Sequence, residues 1–134
     1  MTATPLRDLL FVGAGGALGA VLRYGMSGLV HRIDPFATFP SGTLAVNVLG
    51  CLLIGLLGGL VELRAVLSPE ARLFLLIGLL GGFTTYSTFG SDAFNLLRAG
   101  DHIRALAYVG LHLVAGIGAV WAGLVTARAL VGAP

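Results

Sequence analysis

Four long stretches with few charged residues limit what this chain can fold into. Only 10% of the residues are charged, whereas a soluble domain carries about 25%. A helix needs about 20 apolar residues to cross the hydrocarbon core of a bilayer. We therefore predict an all-α membrane protein, embedded in lipid as a single four-helix transmembrane domain over residues 1–134. The predicted spans are residues 9–30, 41–61, 73–97 and 105–127, and the first is expected to be a retained helix.

The third stretch contains a polar run that a purely structural span would not need. Residues 73–91 carry no charge, but residues 84–88 are Thr, Thr, Tyr, Ser and Thr in succession. The glycines Gly81 and Gly82 precede this run and weaken helix continuity. A broken helix at membrane depth is tolerated only where it is buried in protein or lines a polar cavity. We predict that the third helix is broken mid-membrane and forms a permeation or binding site.

The distribution of arginines bears on how the chain is oriented. An even number of spans places both termini on one side, so the predicted spans leave four arginines on each side. Basic residues normally favour the cytoplasmic side, so this balance gives almost no preference. Either the chain inserts both ways and pairs as an antiparallel, dual-topology homodimer, or Arg23 is counted on the wrong side and a weak bias remains. The arginines are scattered, which argues against a nucleic-acid partner.

The 21 glycines indicate close helix packing. Several are four residues apart, and such small residues let helices approach closely in lipid. The pairs are Gly15/Gly19, Gly55/Gly59 and Gly78/Gly82. Packing within the chain would explain most of them, but every span has small residues and four short helices have little interior. We therefore expect a homo-oligomer. Inverted-repeat transporters have two broken helices, and here a second copy of the chain would supply the second one.

Few residues are placed for catalysis. Ser87 has no histidine or acid beside it in helical phase to act as a base, and a single cysteine, Cys51, excludes an internal disulfide. The acids Asp8, Asp34, Glu62 and Glu70 lie at span ends or in loops. His31 and His102 lie in connectors without metal-ligand spacing. We therefore expect a protein that is not an enzyme.

Polar side chains within the spans are the candidates for function. Thr43 and Asn47 are four residues apart and share a helix face, where the amide would join helices or line a pore. Arg23 would reach an interface or set a positive potential at a vestibule. Tyr86 and Phe89 share a face, and their positive ring edges would either solvate an anion or simply pack.

Three segments together resemble the Fluc/CrcB fluoride channels. They are residues 15–24 (GGALGAVLRY), 42–50 (GTLAVNVLG) and 81–89 (GGFTTYSTF), and the last is highly specific. The resemblance implies a multi-pass protein of a bacterial-type plasma (inner) membrane that exports fluoride passively. It also implies an antiparallel dual-topology homodimer with two pores. A structural sodium ion (Na+) would lie at the dimer centre, held by the backbone carbonyls of Gly81 and Thr84 from both copies.

The resemblance also assigns roles to residues of this chain. It implies Asn47 as a pore-lining donor, Arg23 as a vestibule charge, and ring edges of Tyr86 and Phe89 that meet the ion. Further pore-lining groups would come from Thr43, Ser87, Thr88, Tyr108 and His112, and Asp92 occupies a position that is commonly acidic. The chain departs from the family at Tyr86, where Phe is usual, and at His112 and Gly116, where serine-like residues are usual. His112 is either buried and neutral or lines the pore and makes conduction pH-sensitive.

Two other functions are alternatives to a fluoride channel. A small four-span, proton-coupled exporter of lipophilic cations would need a membrane-embedded carboxylate, but the first span carries Arg23 and no acid. A structural membrane subunit would explain the glycines but not the hydroxyl run after Gly81 and Gly82.

Overall fold

The computed structural model describes residues 5–33, 38–64 and 66–132, and within these ranges all regular structure is helical. Four of its helical segments are long and apolar enough to cross a membrane. They are Leu6–Ile33, Ser41–Arg64, Pro69–Arg98 and His102–Val131. The prediction of an all-α, multi-pass integral membrane protein with four spans is therefore confirmed. Each helical segment contains the corresponding predicted span and extends beyond at least one end of it.

The first, second and fourth spans are single helices, whereas the third is composite. They are α1 (Leu6–Ile33), α2 (Ser41–Arg64) and α6 (His102–Val131). The third comprises α3 (Pro69–Arg72), a π-helix (Leu73–Leu79), α4 (Leu80–Phe83) and α5 (Tyr86–Arg98). A π-helix widens the turn, and such segments occur frequently at functional sites.

Local sequence explains where these helices begin and end. The Ser68 hydroxyl accepts a hydrogen bond from the Ala71 N–H, and Pro69 lies in the first turn of α3. A carboxylate oxygen of Asp101 accepts a hydrogen bond from the Arg104 N–H at the start of α6. Gly132 ends α6 with a φ of 66°, a left-handed conformation that favours glycine.

The helices pack as two pairs, with α2 against α6 and α1 against the π-helix and α4. In the first pair, a Cβ at Gly55 would collide with the Val120 carbonyl oxygen. In the second, a Cβ at Gly19 would collide with the Leu79 carbonyl oxygen. The other glycines of the predicted pairs also lie against a neighbouring helix: Gly15, Gly59, Gly78 and Gly82. Packing within the chain therefore uses all six, and the expectation of an oligomer must rest on other features.

Large apolar side chains cover the outside of the bundle. On α6, Val114, Ile117 and Trp121 are all exposed, Trp121 by 68%. Such a continuous apolar surface is unfavourable in water and suits contact with lipid or with another protein. The interior is small, and Val46 and Tyr108 are its largest fully buried side chains.

Candidate functional site

The site is built around Thr84 and Thr85, two extended residues between α4 and α5. Thr84 has φ −81° and ψ 158°, and Thr85 has φ −148° and ψ 115°. The Asn47 side chain of α2 pairs with Thr85 in both directions. Its Oδ1 accepts a hydrogen bond from the Thr85 N–H at 2.8 Å, and its Nδ2 donates to the Thr85 carbonyl at 3.0 Å. One amide thus satisfies both backbone groups of Thr85, and one Nδ2 hydrogen remains available.

Two carbonyl groups at the interruption are left without backbone donors. The Leu80 carbonyl accepts from both the N–H and the hydroxyl of Thr84, each at 3.0 Å. The carbonyls of Gly81 and Thr84 accept no backbone hydrogen bond among the described residues. Unpaired carbonyls inside a membrane protein need a partner such as a cation or a neighbouring hydroxyl. Both residues lie beside the same cavity.

The Thr85 hydroxyl caps α5 and contacts the hydroxyls of Ser87 and Thr88. The Thr85 hydroxyl oxygen accepts from the Thr88 N–H at 3.1 Å, as an N-cap residue does. The same hydroxyl lies 3.0 Å from the Thr88 hydroxyl and 3.3 Å from that of Ser87. Ser87 and Thr88 are exposed on the chain, whereas Thr85 is buried. The Thr85 hydroxyl therefore stabilises the first turn of α5, where helical structure resumes after the interruption.

Asp92 connects three helices through one carboxylate oxygen. Its Oδ2 accepts hydrogen bonds from the Thr43 hydroxyl of α2 at 2.8 Å and from the Tyr108 hydroxyl of α6 at 3.0 Å. Asp92 therefore ties α5 to the α2–α6 pair, one helical turn beyond Phe89.

Aromatic side chains lie between Asp92 and the interruption. The Phe89 ring is stacked on that of Tyr108, with ring centroids 5.6 Å apart, and lies 4.5 Å from that of His112. The His112 ring meets Tyr108 edge to face at 4.4 Å. Tyr86 lies at the outer edge of this cluster, 5.5 Å from Phe89, and is 85% exposed. The two predicted aromatic positions thus differ, because Phe89 lies within the ring cluster and Tyr86 projects from it.

Two cavities flank this cluster. The central cavity, about 430 Å³, brings together six of the residues predicted from the sequence. These are Asn47, Gly81, Thr84, Tyr86, Phe89 and His112. The outer cavity, also about 430 Å³, is polar and is lined by Thr43 and Asp92 among others. It lies where α1 and α5 end and α2 begins.

Four predicted residues line neither cavity. Ser87 and Thr88 lie in the first turn of α5, where their hydroxyls contact that of Thr85. Tyr108 is fully buried with its hydroxyl on Asp92. Arg23 is half-buried on α1, one turn before Ser27 of the outer cavity, and forms no ion pair with any described residue.

Asp92 and Gly50 contribute more to the site than the sequence predicts. Asp92 is a carboxylate inside the membrane-length segment Pro69–Arg98. An acid within such an apolar segment is the sequence feature that indicates a functional role. A Cβ at Gly50 would collide with Thr84 Cγ2, so this glycine makes room for the interruption. No pattern in the sequence pairs Gly50 with Thr84, because the contact joins different helices. Among the described residues no three His, Cys, Asp or Glu side chains are grouped to hold a metal ion.

Several known proteins are similar to this chain over nearly its whole length. A family described as "CrcB-like protein, Camphor Resistance (CrcB)" matches residues 10–124. A protein of Rhizobium meliloti named "Fluoride-specific ion channel FluC" is 47% identical over 128 residues, covering 94% of this chain and all of that protein. Another protein of that name, from Nitratidesulfovibrio vulgaris, is 42% identical over 123 residues, or 92% of this chain and 98% of its own. Since these matches extend over nearly the whole length, the chain belongs to the CrcB family.

Proposed function

We propose that this protein is a fluoride-specific ion channel through which fluoride leaves the cell passively. The relatives that cover nearly the full chain carry the name of a fluoride channel. That name describes a channel rather than an enzyme, in agreement with the lack of catalytic groupings expected from the sequence. The observation that carries the proposal is the interruption held by Asn47 through two hydrogen bonds to Thr85. Asn47 and Phe89 line the same cavity as Gly81 and Thr84.

The proposed path runs from the central cavity to the outer cavity. Phe89 and His112 line the central cavity, while Thr43 and Asp92 line the outer one. Tyr108 lies between them, with its ring on Phe89 and His112 and its hydroxyl on Asp92. An ion moving between the cavities therefore passes this tyrosine, with small movements of its neighbours.

Selectivity would come from groups that replace the hydration shell of a small anion. The remaining Nδ2 hydrogen of Asn47 is one donor at the central cavity. The edges of the Phe89 and Tyr86 rings are electropositive and are attracted to an anion without binding it tightly. Hydroxyls of Thr43 and Tyr108 would donate farther along the path if they turn from Asp92. Arg23, one turn from the outer cavity, keeps its positive charge and would attract anions there.

The channel is proposed to work as an antiparallel, dual-topology homodimer in a bacterial-type inner membrane. Thr84 lies near the middle of the segment Pro69–Arg98, so the interruption would lie at membrane depth. At this level Gly81 and Tyr86 are exposed, and no atom lies within 4 Å of a Cβ built on Gly81. A second, inverted copy would cover this surface and close the central cavity. The balanced arginines support insertion in both orientations.

A structural sodium ion is proposed where two interruptions meet. The carbonyls of Gly81 and Thr84 are oxygen ligands of the kind that unwound helices offer to sodium in membrane proteins. One chain supplies two such carbonyls, which are too few to surround the ion, and an inverted copy would double the number. The ion would neutralise the carbonyl dipoles and join the two copies.

The proposal is tested by anion efflux from liposomes that contain the purified protein. Rapid fluoride efflux with little chloride efflux is the expected result. Uptake of a lipophilic cation driven by a pH gradient, without fluoride efflux, would support the exporter instead. A folded, reconstituted protein that releases neither ion would contradict the channel and leave the structural subunit as the better description.

A further inference from the structure

His112 borders the central cavity and carries a buried ring nitrogen without a hydrogen-bond partner among the described residues. Its Nδ1 lies 3.0 Å from the Tyr108 carbonyl oxygen, one turn earlier on α6. Since a carbonyl can only accept, Nδ1 carries the hydrogen of this bond. Nε2 is buried and has no hydrogen-bond partner among the described residues. In the neutral ring Nε2 is therefore an unprotonated acceptor whose site for a hydrogen bond is unfilled.

No neighbouring acid is bonded to this nitrogen. Asp92 of α5 is the carboxylate connected to the cluster, and its Oδ2 is held by hydroxyls from α2 and α6. The other titratable groups around His112 are Tyr108 on its own helix, Cys51 of α2 and Tyr86 of α5, which line or border the same cavity. Each of these is uncharged in its protonated form. A protonated His112 would therefore lack a bonded counter-charge among the described residues.

The charge state of His112 determines whether its ring attracts or repels an anion in the cavity. In the neutral ring, the Nε2 lone pair would repel a fluoride ion that reached it. In the protonated ring, the Nε2–H would be a charge-assisted donor to that ion. A buried cation without a partner is costly, and an anion beside it removes much of that cost. Protonation and fluoride binding should therefore favour each other, and this coupling is reciprocal.

We propose that His112 takes up a proton and a fluoride ion together, so that acid increases fluoride passage. This inference rests on the proposed channel function and adds a regulation to it. The proton comes from water in the cavity, forms the Nε2–H bond, and returns to water when the fluoride leaves. No covalent bond to fluorine forms, and no other reactant is needed. Phe89, whose ring lies 4.5 Å from the imidazole, helps to exclude water from the pair.

The first test compares fluoride efflux from liposomes at about pH 7.5 and about pH 5.5, the interval in which histidine changes charge. Efflux through the parent protein should rise several-fold at the lower pH, after subtraction of leakage from protein-free liposomes. His112→Ser should conduct fluoride with the same rate at both values. The matched control is His102→Gln, an exposed residue at the start of α6, which should retain the parent's response. A parent whose pH ratio equals that of His112→Ser would overturn the inference.

The second test uses reciprocity and does not depend on flux. Protein labelled with ¹⁵N-histidine and reconstituted in lipid is titrated with acid in sodium fluoride or in sodium chloride. The ¹⁵N resonances of the His112 ring should show protonation at a higher pH in fluoride than in chloride. Equal midpoints in the two salts would overturn the coupling. Fluoride efflux that is pH-independent leaves the channel function intact, whereas a lack of efflux in every variant at both pH values contradicts the channel and the regulation together.

Discussion

Asn47 and Thr85 are joined by two hydrogen bonds that run in opposite directions between α2 and the interruption. The pairing resembles that between neighbouring strands, with one side chain taking the place of a backbone. It satisfies both polar groups of a residue that has left the helix. An extended segment inside a membrane protein is stable only when its backbone is satisfied in this way.

Replacement of Asn47 should therefore affect folding and conduction together. Asn47→Ala leaves the Thr85 N–H and carbonyl unpaired, which costs about 1–3 kcal/mol for each buried group. We expect a lower melting temperature in detergent and loss of fluoride efflux. Asn47→Asp keeps an acceptor for the N–H but loses the donor, so its melting temperature should lie between those of the parent and Asn47→Ala. Parent-like melting of Asn47→Ala would contradict this role.

The hydroxyl of Tyr108 should be needed to hold Asp92. Tyr108→Phe keeps the ring contacts with Phe89 and His112 but removes one of the two donors to the carboxylate. The cost should be about 0.5–1.5 kcal/mol, the net value of one hydrogen bond, because Asp92 is half-buried and keeps its Thr43 donor. We expect lower thermal stability and slower fluoride efflux.

Tyr24→Phe is the matched control for that variant, since Tyr24 is 84% exposed on α1. It removes the same atom from a surface position and should change neither quantity. Equal effects of the two substitutions would show that the Tyr108–Asp92 bond contributes nothing specific.

Gly50 should tolerate no side chain, because its Cα faces Thr84. The methyl group of Gly50→Ala would collide with Thr84 Cγ2. Such overpacking typically costs about 1–3 kcal/mol and would displace the interruption. Gly58→Ala is the control on the same helix, because nothing lies within 4 Å of its Cβ position. Thermal unfolding should separate the two, and an equally stable Gly50→Ala would contradict the close contact.

Gly81 provides a test of the proposed dimer. Within the chain a Cβ at Gly81 has nothing within 4 Å, so Gly81→Ala should not disturb the single chain. If an inverted copy packs there, the methyl group will weaken dimerisation. Gly118→Ala on α6 is equally open within the chain and serves as the control. Cross-linking in liposomes measures the dimer fraction, and equal fractions for both variants and the parent would argue against an interface at Gly81.

Removal of sodium provides a test of the proposed ion. Exchange of Na+ for a large organic cation should lower the melting temperature of the dimer, because the Gly81 and Thr84 carbonyls would lose their partner. Potassium at the same ionic strength separates a specific site from salt screening. Identical melting curves in all three salts would rule out a stabilising sodium site.

Much of the fold follows from the sequence because a bilayer imposes simple constraints. In the hydrocarbon core of a bilayer the backbone must satisfy its own hydrogen bonds, and a helix does so. The number of helices and their approximate limits follow from the lengths of the stretches with few charged residues. The run at residues 81–89 similarly indicated where helical structure stops, since two glycines and a series of hydroxyl side chains favour an interruption. These features depend only on residues that are neighbours in the sequence, so they can be predicted without the tertiary structure.

The partners across the bundle depended on the tertiary structure. Asn47 could be placed on a helix face, but only the packing of α2 against the third span shows that its amide pairs with Thr85. Asp92 and Tyr108 lie on different helices, and their bond to one another and to Thr43 depends on how those helices are rotated. The sequence alone determined four membrane-length helices and the residue types available in the polar run at residues 84–88. The tertiary structure decided which of them meet, because helix rotation and depth arise from packing between distant segments rather than from local propensity.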